Sequence, residues 1–129
     1  MNSVQVLGNL VRDPEVRFTK SNKAVATFTV AATTNYVVGD EAKEQTAYIN
    51  CVAWGKLGEA VGNLHKGERV FVEGRLNTRS YNAKDGSKRY VTEVIANFVG
   101  QALQANTSNS SNFENFGSND VDNSGNIPF

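Results

Sequence analysis

The feature that most constrains this chain is an alternation of period two that recurs through most of its first hundred residues. In residues 4–10, Val4, Val6, Gly8 and Leu10 fall on one side of an extended backbone and Gln5, Leu7 and Asn9 on the other. That pattern marks strands with one buried face. It recurs over residues 24–33, where Ala24, Ala26, Phe28 and Val30 oppose Thr27 and Thr29, and over residues 47–54, where Tyr48, Asn50, Val52 and Trp54 oppose Ala47, Ile49, Cys51 and Ala53. In residues 69–76, Val70, Val72, Gly74 and Leu76 oppose Phe71, Glu73 and Arg75, and residues 89–99 have the Val, Ile, Thr and Tyr content of a strand. Asp13-Pro14 predicts a break in pairing after the first strand.

One stretch has a helical period instead. Residues 56–65 place Leu57, Ala60, Val61 and Leu64 on one stripe, and Lys66-Gly67 follows as a stop. The predicted order is three strands, a helix and two strands, the last two joined through Lys84-Asp85-Gly86-Ser87, where Asp-Gly favours a tight hairpin turn. This order fits an all-β OB-fold, a five-stranded Greek-key barrel with one short helix between its third and fourth strands. An open α+β sheet shares the element order, because order along the chain does not fix order around a barrel.

The 129 residues suffice for one domain. Their zero net charge conceals a division: all 13 basic residues lie at or before Arg89, so residues 1–105 carry +3 and residues 106–129 carry −3. The latter segment holds seven Asn and five Ser among 24 residues. It has too little apolar surface to offset the entropy of ordering it, so it is expected to be a disordered tail, its apolar residues gathered at Phe113, Phe116 and the tip Ile127-Pro128-Phe129. A single cysteine, Cys51, excludes an internal disulfide framework, and a single histidine, His65, leaves no zinc ligand set. No apolar run approaches the roughly 18 residues of a membrane span, and the beginning of the chain does not have the pattern of a leader. The expectation is a soluble, cytoplasmic protein without cofactor, metal or membrane.

Aromatic and basic residues are interleaved. Tyr36 ends the second predicted strand, Tyr48 and Trp54 share a face of the third, and Arg75, Arg79, Tyr81, Lys84, Lys88, Arg89 and Tyr90 occupy the last hairpin. Unpaired nucleic acid asks for this combination, since bases stack on rings while phosphates are neutralised by cations. Core positions for Trp54, Tyr48 and Tyr90 also satisfy the periodicity. Asp13 and Glu15, or Asp40, Glu41 and Glu44, read as solvated, charge-balanced loops. His65 reads as a charge near a helix end and Cys51 as a small buried residue. No nucleophile elbow, phosphate-binding glycine loop or metal pair stands out, so no catalysis is expected.

The residues resemble the bacterial and phage single-stranded DNA-binding proteins. The resemblance is carried by Val6-Leu7-Gly8-Asn9-Leu10, Asp13-Pro14-Glu15 with Arg17, Lys43-Glu44-Gln45-Thr46 and Trp54-Gly55-Lys56-Leu57. It continues through Lys66-Gly67, Val72-Glu73-Gly74, Thr78-Arg79 and Tyr90 with Thr92-Glu93-Val94, over roughly residues 1–100 in unbroken order, and again at Ile127-Pro128-Phe129. It implies base stacking at Tyr36, Tyr48, Trp54 and Tyr81, three of which are Tyr where the better-known members often have Trp. It also implies a homotetramer assembled through the first strands, giving Gln5, Leu7 and Asn9 a place in subunit contact. The tail departs from the pattern: Asn126 precedes Ile127 where relatives usually place several Asp, which weakens charge steering to the partners the tip would dock.

The expected function is therefore non-catalytic, sequence-nonspecific binding and protection of single-stranded DNA in replication, recombination and repair, with partner proteins recruited through the tip. The candidate phosphate contacts are Arg12, Arg17, Arg69, Arg75, Arg79, Lys84, Lys88 and Arg89. An RNA-binding barrel of the cold-shock kind and a recruiting module that no longer grips nucleic acid are the alternatives; a nuclease would need clustered carboxylates.

Overall fold

A computed structural model describes residues 1–103 of the chain. The expected tail and its Ile127-Pro128-Phe129 tip lie outside the described residues. Six strands and one helix follow in order: β1 (Val4–Leu10), β2 (Glu15–Phe18), β3 (Ala24–Val38), β4 (Glu41–Trp54), α1 (Gly55–Val61), β5 (Arg69–Asn82) and β6 (Lys88–Gln101). The spatial order is β1-β5-β6-β4-β3-β2, and β1 also pairs with β3 through Asn9–Ala31 and Leu10–Val30. This second pairing closes β1, β5, β6, β4 and β3 into the expected five-stranded barrel. The open α+β alternative is overturned by that closure.

The alternation seen in the sequence is what fills the barrel. Val6, Leu10, Ala26, Phe28, Val30, Cys51, Ala53, Val70, Val72, Val94 and Ala96 form one buried cluster, which Val61 of α1 joins. Gly8 is required where β1 passes from β5 to β3, because a Cβ there would overlap the carbonyl oxygen of Ala31. In β6 the register shifts by one residue, since Glu73 pairs with Phe98 while Gly74 pairs with Ala96. The bulge leaves Asn97 without an opposite residue and reverses the parity of the strand around it. Ile95 and Phe98 can therefore both face outward.

Several sequence expectations are corrected in detail. The strands reach further than the alternation does: β3 and β4 pair without interruption from Val25–Trp54 to Val38–Glu41, forming a long arm. Glu41 and Glu44, expected in a loop, lie in β4, and Glu15 opens the unforeseen β2, which pairs with the start of β3. Helix α1 ends at Val61 rather than at residue 65. His65 therefore sits beyond the helix, where its carbonyl accepts the Glu68 N–H. Leu76, expected on the core face, is exposed, although its ladder partner Val94 is buried in the core.

Candidate functional site

Opposed residues in a β-ladder project to the same side. The registers therefore place Glu15, Thr27, Val52, Ile95 and Arg75 in one outward row that crosses β2, β3, β4, β6 and β5. A cleft of about 400 Å³ lies along this row, walled by Trp54 and by Arg75, Asn77, Arg79 and Glu93. It continues into a second cleft of about 170 Å³ that shares Thr27, Val52, Arg79 and Glu93 and adds Arg12, Thr29, Asn50 and Val91. Together they make one groove across the outside of the barrel, and β4 runs along it.

Outward residues of β4 succeed one another as Tyr48, Asn50, Val52 and Trp54. Tyr48 is 68% exposed and Trp54 43%, so neither ring fills the core. Trp54 ends β4 and precedes α1 without a side-chain capping hydrogen bond to it, and Lys23 Nζ sits 5.7 Å from its ring centroid. Tyr81, 50% exposed, continues the face of Arg75, Asn77 and Arg79 onto the β5–β6 arm, opposite Arg89. Tyr36 is exposed too, but it pairs with Lys43, on the side of the β3–β4 arm opposite to Tyr48 and Trp54. Tyr90 lies on the reverse side of its arm from Tyr81, with Lys88 Nζ 5.8 Å from its ring centroid.

The basic residues divide in the same way. Arg75, Arg79 and Arg12 line the groove, and Arg12 Nη2 donates to Thr29 Oγ1 at 3.5 Å. Arg17, on β2, lines neither cleft and is held by Glu15 at 2.7 Å, an exposed pair of little energetic weight. Lys84 and Arg89 belong to the turn and flank of the β5–β6 arm. In that turn the hydroxyl and amide of Ser87 both donate to Asp85 Oδ1, which holds the Asp85 carboxyl below its ordinary pKa. Arg69 is elsewhere: it contacts Asn9 on the outer face of β1 and β5, beside Gln5 and Leu7. That face also carries Phe71 and Phe98, whose rings meet edge-on at 6.3 Å between centroids.

Two buried polar residues of the described chain, Thr29 and Glu93, both line the groove and are not among the site residues expected from the sequence. Glu93 accepts from Arg79 Nε at 3.0 Å, and Thr29 donates to Asn50 Oδ1 at 3.1 Å. The available signal was an acid inside the apolar run Val91-Thr92-Glu93-Val94-Ile95. Among the described residues no group of three or more His, Cys, Asp or Glu is arranged to hold a metal, and no helix is long and apolar enough to cross a membrane. The groove offers ring faces, cations and hydrogen-bonding groups.

Residues 1–102 match the model of a family described as the single-strand binding protein family. The chain is 42% identical over 117 residues to single-stranded DNA-binding protein 3 of Clostridium acetobutylicum, covering 89% of this chain and 79% of that relative. It is 44% identical over 100 residues to a single-stranded DNA-binding protein of Bacillus cereus, covering 77% and 58% respectively. With a single-stranded DNA-binding protein of Clostridium tetani it shares 41% identity over 120 residues, covering 90% and 81%.

Proposed function

The chain belongs to the single-strand binding protein family, and on that premise we propose that its groove binds single-stranded DNA with little sequence preference, without catalysis. The observation that carries this reading is the outward line from Tyr48 to Trp54, with Arg12, Arg75 and Arg79 beside it. Stacking contributes roughly 1–3 kcal/mol per base and tolerates any base, because every base has a π-face. A duplex keeps its base faces inside the stack and is bound much more weakly. Coating of this kind protects the strand from nucleases and from re-pairing, which suits replication, recombination and repair.

The same proposal extends to assembly and recruitment. Gln5, Leu7 and Asn9 line a face with exposed apolar surface at Leu7 and Phe98, and β1 has a free edge from Val4 to Gly8 among the described residues. Glu73 Oε2 is buried on that face without a hydrogen-bond partner among the described residues. These features support a homotetramer joined through first strands. Ile127, Pro128 and Phe129 form the docking tip for partner proteins, and the site of action is the cytoplasm.

Trp54, the sole Trp of the chain, provides the test. Titration with poly-dT is expected to quench its emission and retard the complex in a gel, with duplex DNA doing neither at equal salt. Unchanged emission without a mobility shift overturns the proposal.

A further inference from the structure

We propose that Glu93 and Asn50 form a hydrogen-bonding subsite for the Watson–Crick edge of one unpaired base, set between the Tyr48 and Trp54 platforms. The proposal rests on the reading that the groove holds single-stranded DNA. A track built only for phosphates would have no use for a carboxylate, yet Glu93 is 7% exposed and lines both parts of the groove. Arg79 engages its Oε1. Oε2 makes no hydrogen bond among the described residues, and Glu93 lines the cleft.

Register places a donor beside that acceptor. The parallel pairs Cys51–Val94 and Val52–Ile95, continued by one step, bring Asn50 next to Glu93, and both line the smaller cleft. Thr29 occupies Asn50 Oδ1 with its hydroxyl, and Arg12 contacts Thr29 from the other side. The Asn50 amide is thereby oriented with Nδ2 making no hydrogen bond among the described residues, so the subsite presents one N–H donor and one carboxylate acceptor.

Each of the four bases carries an adjacent N–H donor and acceptor on its Watson–Crick edge, and an unstacked base exposes both. Thymine would give its N3–H to Glu93 Oε2 and accept from Asn50 through a carbonyl; cytosine, adenine and guanine have equivalent pairs. In a duplex these groups are consumed by pairing. Such a subsite is blind to which base is present but reads whether it is paired, which stacking alone does less sharply.

The test compares oligo-dT with an oligonucleotide of equal length made from N3-methylthymidine, which retains its ring faces and phosphates but loses the donor. Wild-type protein is expected to bind the methylated strand about tenfold more weakly, the size of one hydrogen bond to a charged group. Glu93→Gln keeps an oxygen for Arg79 and replaces the free acceptor by an amide donor, so this variant should bind both strands alike. Asn50→Ala, which removes neither member of the Arg79–Glu93 pair, should lose affinity for oligo-dT, and unchanged affinity in this variant overturns the proposal. Equal, tight binding of both strands by the wild type overturns the proposal. A methyl penalty undiminished in Glu93→Gln also overturns it, by placing the clash elsewhere. If neither strand binds, the groove reading itself fails, and the subsite with it.

Discussion

Truncation of Trp54 to Ala separates stacking from charge. The indole lies outside the buried cluster and makes no side-chain capping bond to α1, so its removal leaves the barrel folded. The internal loss is confined to a partly exposed cation–π contact with Lys23 at 5.7 Å, worth about 0.5–1 kcal/mol. The loss toward DNA is larger: one stacked base contributes roughly 1–3 kcal/mol, which corresponds to a roughly 5- to 150-fold weaker Kd. Because no phosphate contact is removed, the slope of log K against log salt should be unchanged. Anisotropy of a labelled oligo-dT over a series of salt concentrations measures both quantities without needing the lost fluorophore. Wild-type affinity in Trp54→Ala would refute the stacking role, and a flattened slope would show that Trp54 acts by arranging the cations around it.

Two further outcomes follow from other parts of the site and the core. Arg75→Gln, on the groove row and without an acidic partner within salt-bridge distance among the described residues, should reduce the salt slope by about 0.7 while leaving the melting temperature unchanged. Cys51 is buried against the barrel core, which pushes its thiol from 9.0 up to about 12. The folded state thus holds its proton more tightly than the unfolded state, and the contribution is complete below pH 9 and lost as pH rises toward 12. Over that window wild-type stability should fall by about 1.4 kcal/mol per pH unit more steeply than that of Cys51→Ala, as read by urea unfolding.

The barrel was legible because each of its strands buries one face, and burial imposes the alternation. The arms were not. Residues 34–46 are wetted on both sides, so nothing forces a period on Thr34 to Thr46, although the backbone ladder continues through them. The four-residue β2 is mostly exposed and too short for a pattern. The stacking candidates could be named singly, since aromatic residues among polar ones stand out. Their grouping depends on which strands are neighbours, and only the Cys51–Val94 and Val52–Ile95 pairing brings Glu93 to Asn50. Tyr36 is the instructive case: it shares its parity with Phe28 and Val30, which already places it on the opposite side from Tyr48 and Trp54 along a regular ladder.

That two-residue parallel contact between β4 and β6 is also the shortest stitch in the ring apart from the β1–β3 closure, and the groove floor of Val52 and Ile95 lies directly over it. Every other junction around this part of the wall is a long antiparallel ladder. A strand lying across the floor would span the seam from outside, gripping Trp54 on one lip and Arg75 and Arg79 on the other. On the proposed reading the ligand would be a clasp as well as a cargo: what holds the polymer in place would be held together by it, making occupancy and barrel integrity two readings of a single equilibrium.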